Sequence, residues 1–304
     1  MNAAGNSPPW LPATLAGAVS FAEPLARHTS WHVGGPADVF FKPQSAEDLA
    51  LFLAAVPASV PVLMLGLGSN ILVRDGGWRG VVISMHGSFD ELRLTGEGNV
   101  YAEAGVPCAR LAKSCARWGI GPAEFFAGIP GTVGGALAMN AGAWGGETWP
   151  HVCSVEVINR QGVRAHRLAS EYRVSYRHVE PPVSGEWYLS AEFRFTPDAA
   201  TSLEKIQQLL EQRRESQPIG KWSGGSTFVN PPGDHAARLI DAAGLKGFRI
   251  GGAVVSEKHA NFLLNEGAAT ANDLECLINH VSTTVSEKHG IRLVTEVRVV
   301  GEPL

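Results

Sequence analysis

The stretch GIPGTVGGALAMNAGAWGGE, Gly128 to Glu147, packs seven glycines into twenty residues and keeps its one charge at the far end. Such a segment is a membrane span, a loose linker, or a place where backbone must come close to something else. A spanning helix satisfies every backbone group internally, and glycine at this density, with Pro130, makes a poor one. The other uncharged run, Leu49 to Val73, is cut by Pro57, Pro61, Gly66 and Gly68 into a helix, a strand and a turn. Neither run reads as a membrane segment.

The surrounding pattern is mixed α and β. SAEDLALFLAAV opens with Ser45 as an N-cap and Asp48 three residues on. PVLML, ILV, RGVVI and VYAEAG read as strands, and VPCARLAKSCARWG as a helix stopped by Gly119. VCSVEVIN, VRAHRL and WYLSAEFRF suit an antiparallel sheet. Near Pro197 the texture changes. TSLEKIQQLLEQRRES is amphipathic through Leu203, Ile206 and Leu210. Asp234 is expected to cap HAARLIDAAG, and Thr270 and Asp273 to start a helix that ends at Gly290. IRLVTEVRVVG closes the chain as a strand, with Val294, Glu296 and Arg298 on one face. The divisions are therefore a leader over 1–20, a first domain over 21–198 in lobes of about 21–85 and 86–198, and a smaller α+β domain over 199–304.

Net charge is −4 with a pI near 6.2, so no basic field points to nucleic acid or anionic lipid. Cys108, Cys115, Cys153 and Cys276 form no CxxC pair. Scattered thiols suit a reducing cytoplasm and argue against a disulfide framework or a zinc site. His28 and His32 stand four apart with no carboxylate or thiol to complete a ligand set, so no metal site is expected. The N-terminus has no basic run before its apolar residues and is not expected to act as a signal peptide.

Two glycine-rich turns follow strand-like segments, Gly66 to Asn70 and Gly128 to Gly135. Successive N–H groups in such turns form an anion-binding concavity, and a diphosphate is its natural guest. GLGSNI fails as a Rossmann fingerprint: the third glycine is missing and a strand follows where a helix is needed. GIPGTVGG leads into ALAMNAG, a short helical turn able to aim N–H groups at phosphate. Either turn alone reads more readily as structural; the two together, with Ser69 and Asn70 adding side-chain hydrogen bonds, suit a bound ligand equally well.

LGLGSNILVRDGGWRGVVI and EFFAGIPGTVGGALAMNAGAWGGE resemble the two FAD-binding segments of the UDP-N-acetylenolpyruvoylglucosamine reductase (MurB) family. HTSWHVGGPADVFFKP, SYRHV, GGSTFVNPPGDHAARLIDAAGLKGFRIGGAVVSEKHANFLLN and VTEVRVVG resemble further family segments, in order, from about residue 21 to 301. His32, Val179 and Val229 depart from the residues more usual at their places. The resemblance implies a two-lobed PCMH-type (vanillyl-alcohol-oxidase-like) FAD-binding domain followed by a substrate domain, in the shorter form of the family without an extra substrate-capping loop. It implies FAD held without a covalent bond by Gly66, Gly68, Ser69, Asn70, Gly128, Ile129, Pro130, Gly131, Gly134, Gly135, Asn140 and Gly142. It implies NADPH as hydride donor and an enolpyruvyl ether of UDP-N-acetylglucosamine as substrate, in a cytoplasmic monomer serving peptidoglycan synthesis.

Reduction of that ether needs a cation at the carboxylate, a partner for the developing enolate and an acid at C2. The resemblance assigns these to Arg177, Glu296 and Ser226 and matches Asn230 to a substrate contact; Tyr176 and Lys258 are further substrate candidates, Lys258 for the diphosphate, where it reads equally as an exposed solvated lysine. On the sequence alone Arg177 also reads as a surface arginine, Ser226 as a turn serine and Glu296 as half of a cross-face ion pair. The alternatives are another PCMH-type flavoprotein, or a non-catalytic relative that kept the fold; a Rossmann dehydrogenase is disfavoured.

Overall fold

The computed structural model describes residues 7–198 and 200–304. The first lobe runs β1 (Ala18–Pro24), β2 (Pro36–Lys42), α1 (Ala46–Ala55), β3 (Val62–Leu65), β4 (Ile71–Val73) and β5 (Trp78–Ser84). Its sheet has the order β1-β2-β5-β3, antiparallel between β1 and β2 and parallel elsewhere. Ser45 caps α1 by accepting from the Asp48 amide at 3.2 Å. Asp48 in turn accepts from the amides of Ala16 and Gly17, which fastens the incoming chain to the helix start. Leu49, Phe52 and Leu53 face inward, and Phe52 stacks on Phe41 at 4.1 Å.

The second lobe begins with β6 (Leu92–Gly96), β7 (Asn99–Glu103), α2 (Cys108–Trp118) and α3 (Val133–Met139). Leu111 and Cys115 bury the inner face of α2, and Gly119 ends it in the left-handed conformation at φ 67°. A hairpin of β8 (Gly142–Ala143) and β9 (Gly146–Glu147) follows, then β10 (Val152–Asn159), β11 (Arg164–Leu168), the hairpin β12 (Arg173–Ser175) with β13 (His178–Glu180), and β14 (Glu186–Arg194). The sheet order is β11-β10-β14-β7-β6, antiparallel throughout. α4 (Leu203–Ser216) follows the change of texture near Pro197, yet Ile206 and Leu210 pack into the core of this second lobe.

The last unit holds β15 (Trp222–Ser226), α5 (Ala236–Ala242), β16 (Arg249–Ile250), β17 (Ala253–Val255), β18 (Phe262–Asn265) and α6 (Ala271–His289). Its sheet, β15-β18-β17-β16, packs against α6 through Leu274, Leu277, Ile278 and Val281. Thr270 and Asp273 form the expected capping box and Gly290 ends the helix at φ 69°. Asp234 does not cap α5. It accepts from the His235 amide and pairs with Arg238, while Asn230 Oδ1 takes the Ala236 amide at 3.0 Å.

The chain then returns to the first lobe. β19 (Arg298–Val300) pairs in parallel with β4, Arg298 opposite Ile71. Arg74 forks onto Glu275 at 2.8 and 2.7 Å, and Asp75 accepts from the Ala271 and Asn272 amides at 2.9 Å each. A carboxylate from the first lobe thus sits on the positive end of α6. Glu296, expected inside the closing strand, lies just before it. The alternation fails there: Val294 is 65% exposed, whereas the Glu296 side chain is 14% exposed. The segment is held by a bridge between Phe228 and Thr295 and by the Glu296 amide on Thr227 O, so it follows a different partner from β19.

Candidate active site

A cleft of about 610 Å³ runs between the lobes, within the usual range for small-molecule sites of about 300–1,000 Å³. Gly66, Gly68, Ser69 and Asn70 line one wall and Ile129, Gly131, Gly134 and Gly135 another. The glycines serve two purposes. A Cβ at Gly68 would come 1.9 Å from His28 O, and one at Gly134 would come 2.9 Å from Ala104 Cβ, so these permit packing within the protein. A Cβ at Gly131 would meet nothing nearer than 3.5 Å and one at Gly135 nothing nearer than 3.8 Å. Their smallness is not demanded by any protein neighbour. It leaves the backbone bare to whatever fills the cleft.

The backbone donors divide in the same way. Among the described residues no backbone carbonyl accepts from the amides of Gly66 through Asn70. In the second turn Val133 N donates to Val106 O and Gly134 N to Ala104 O, both at 2.8 Å. The first turn is therefore the freer set of anion donors, contrary to the expectation that the α3 start would aim its amides at phosphate. Arg298 adds a cation to this wall.

A second cavity of about 230 Å³ adjoins the cleft and shares Ser69, Asn70, Ile129, Met139 and Ala141 with it. Arg177, Ser226 and Glu296 all line it, brought from the β12–β13 turn, the end of β15 and the approach to β19. Arg177 holds φ at 57°, and its guanidinium donates to Asn140 O at 3.2 Å and Gly142 O at 2.9 Å. The glycine-rich segment thereby orients it. Arg177 Nε lies 3.2 Å from Glu296 Oε1, but the N–H is not directed at that oxygen and remains a buried donor without an acceptor. Burial raises the Glu296 pKa above the ordinary carboxylate value, and Arg177 opposes the shift without cancelling it. Ser226 pairs with Phe262 at the sheet edge, beside the backbone of Gly224 and Gly225.

Other expected residues fall elsewhere. Gly128, Pro130 and Gly142 line the smaller cavity only. Asn140 is fully buried, donating to Glu147 Oε2 and Ser175 O and accepting from Trp149 N; it fixes the hairpin carrying Arg177. Tyr176 is exposed beside Arg177, its ring 5.1 Å from the guanidinium carbon. Lys258 reaches Arg214 O at the end of α4, and neither it nor Asn230 lines the cavity. His28 pairs with Glu23, and His32 lies against Trp222 at 4.6 Å.

Sequence reasoning missed Arg213, Gln217 and Trp144. Arg213 reaches the cavity from α4, donating to Gly128 O and, at 2.6 Å, to Gln217 Oε1. Burial lowers its pKa. Its place in an amphipathic helix gave no sign of this. Among the described residues no helix is long and apolar enough to cross a membrane, and no group of three metal-ligating side chains occurs.

Comparison with known proteins agrees with this geometry. Residues 217–300 match the family described as UDP-N-acetylenolpyruvoylglucosamine reductase, C-terminal domain, and residues 37–166 match an FAD binding domain. The UDP-N-acetylenolpyruvoylglucosamine reductase of Alkalilimnicola ehrlichii is 54% identical over 281 residues, 92% of this chain and 94% of that one. The one from Legionella pneumophila (strain Paris) is 51% identical over 288 residues, 94% of this chain and 95% of the relative. The crystal structure of MurB from Thermus caldophilus superposes with a TM-score of 0.79 at 33% identity, covering 93% of this chain and 98% of that one. The architecture is a two-lobed PCMH-type fold with a smaller α+β unit after it, and the chain belongs to the UDP-N-acetylenolpyruvoylglucosamine reductase (MurB) family.

Proposed function

We propose that this protein reduces the enolpyruvyl ether of UDP-N-acetylglucosamine to UDP-N-acetylmuramate in peptidoglycan synthesis, with FAD in the larger cleft and the substrate in the smaller cavity. The observation that carries the reading is the meeting of Arg177, Ser226 and Glu296 in one cavity beside a cleft floored by bare glycine backbone. FAD suits that cleft because Gly131 and Gly135 are open where a flat ring system and a pyrophosphate require close approach, and because the amides from Gly66 to Asn70 are free. When bound, FAD supplies the hydride chemistry, from NADPH to C3 of the enolpyruvyl group.

The chain's own residues do the rest. Arg177, already steered by two carbonyls, donates its unsatisfied Nε–H to the substrate carboxylate and faces it with a fixed positive charge. That places the alkene and draws off the negative charge that spreads from C2 as C3 takes its hydride. Burial raises the Glu296 pKa and so favours the protonated form, which donates to the developing enolate oxygen. Ser226 Oγ gives the proton that completes the new C–H bond at C2, and solvent restores the hydroxyl after product leaves. Both carbons of the double bond are then saturated, one by hydride and one by a proton.

NADPH and the UDP-sugar use the smaller cavity in turn. We assign the divisions at 21–198 and 199–304 to the cofactor and substrate domains, with α4 packed on the former and β19 closing it. A cytoplasmic monomer is the corresponding cellular form, consistent with the unpaired thiols. The test is an anaerobic two-step titration of the purified protein. NADPH bleaches the yellow colour, and the enolpyruvyl nucleotide alone restores it. A colourless protein, or one whose colour returns only with oxygen, overturns the reading.

A further inference from the structure

The β8–β9 hairpin turns through Trp144 and Gly145, at φ 50° and 82°. Two successive left-handed residues mark a turn that Asn-Gly fills best, and a bulky aromatic is an unfavourable choice at its first position. Packing in the protein covers one part of the ring and leaves the rest open. The indole lies against the Gly128 backbone, where an added Cβ would come within 2.8 Å of the ring, yet Trp144 remains 39% exposed. It lines the smaller cavity together with Arg177 and Ser226. Gly142 of the same hairpin accepts from Arg177, so one short element both steers the guanidinium and presents the indole beside it.

We propose that Trp144 is a substrate-binding residue whose indole packs on the pyranose ring of a nucleoside-diphosphate sugar. The inference rests on the function proposed above. With the enolpyruvyl carboxylate on Arg177, the group one ether bond away is the sugar ring. A pyranose offers a face of C–H groups, and an indole offers an apolar face with a negative quadrupole to receive them. A ring kept at a position where the backbone disfavours it, facing the cavity, serves the ligand rather than the fold.

Trp144→Asn removes the ring and leaves a residue suited to the left-handed turn; Trp144→Phe keeps an aromatic face. Both are compared as FAD-loaded protein. In Trp144→Asn, the concentration of enolpyruvyl nucleotide giving half-maximal colour recovery rises roughly tenfold, with the limiting rate little changed, as expected for lost apolar contact. UDP-N-acetylglucosamine loses affinity by a similar factor, UDP alone does not, and Trp144→Phe recovers most of the loss. Bleaching by NADPH keeps its rate and concentration dependence. Unchanged affinity for both sugar nucleotides in Trp144→Asn overturns the proposal, as does an equal loss for UDP. A selective loss in the NADPH step overturns it in favour of a nicotinamide contact. Failure of the unaltered protein to recover its colour with the enolpyruvyl nucleotide refutes the functional reading instead.

Discussion

Adjacent glycines 134 and 135 should respond to alanine with opposite signs, and the contrast tests whether the cleft is shaped for a ligand. A Cβ at Gly134 would lie 2.9 Å from Ala104 Cβ and 3.1 Å from Ala104 O, in a stretch where Gly134 N already donates to that carbonyl. Overpacking of this kind costs about 1–3 kcal/mol. A Cβ at Gly135 would meet only Thr132 Oγ1, at 3.8 Å, and Gly135 sits in the first turn of α3. There alanine gains about 0.5–1 kcal/mol over glycine from helix propensity alone. Without FAD, Gly135→Ala should therefore melt about 1–3 °C higher than the parent and Gly134→Ala several degrees lower. With FAD the order changes, because the new methyl of Gly135→Ala occupies space that the ligand's close approach requires. A penalty of about 1–2 kcal/mol weakens FAD roughly five- to thirtyfold. The assay is a thermal melt with and without added FAD, together with a titration of flavin fluorescence quenching. Gly135→Ala binding FAD as tightly as the parent, or melting low without it, refutes the division of the glycines into packing and ligand-facing sets.

Arg177→Ala should slow colour recovery by the enolpyruvyl nucleotide by about a hundredfold or more while NADPH bleaching changes far less, because the lost interaction belongs to the substrate carboxylate; stopped-flow absorbance reads both halves. Colour recovery should fall as pH rises through the raised Glu296 pKa, since the donating form is the protonated one, and Glu296→Gln should abolish that limb of the profile. The same group stabilises the native state below its unfolded pKa and loses that contribution as pH rises through the folded value, so denaturant midpoints of the parent and Glu296→Gln should diverge toward alkaline pH. Asp75→Ala removes the acceptor of two α6 amides and should cost about 1–2 kcal/mol in urea unfolding, leaving the bleaching step intact.

Local signals in the chain were legible and long-range ones were not. Ser45, Thr270, Gly119 and Gly290 mark helix ends through bonds spanning three or four residues, and each end falls where its residue type predicts. The glycine turns were visible as turns, but their division into packed and open members depends on His28 and Ala104, which lie far off in sequence. Glu296 was misplaced for the same reason. The partner of its segment is Phe228 and Thr227, whereas β19 two residues on answers to β4, so one alternation could not describe both. Lys258 was a candidate substrate contact and instead reaches a carbonyl at the end of α4, because a lysine carries no mark of which carbonyl it will reach. The proposed roles of Arg177, Ser226 and Glu296 came through family resemblance; no period or spacing links three residues that only the folded cavity brings together.

The parallel pairing of β19 with β4 has a consequence for how the protein is made. Ile71 leaves the ribosome early, and its neighbour Arg298 emerges only after the whole second lobe and α6. Until then the edge of β4 is bare, and unpaired edges invite association with other chains. The wall bearing Arg298 is likewise missing from the nascent cleft. Flavin loading therefore waits on the synthesis of β19, and a chain stalled short of it carries an exposed strand, a substrate for chaperones and proteases rather than for cofactor.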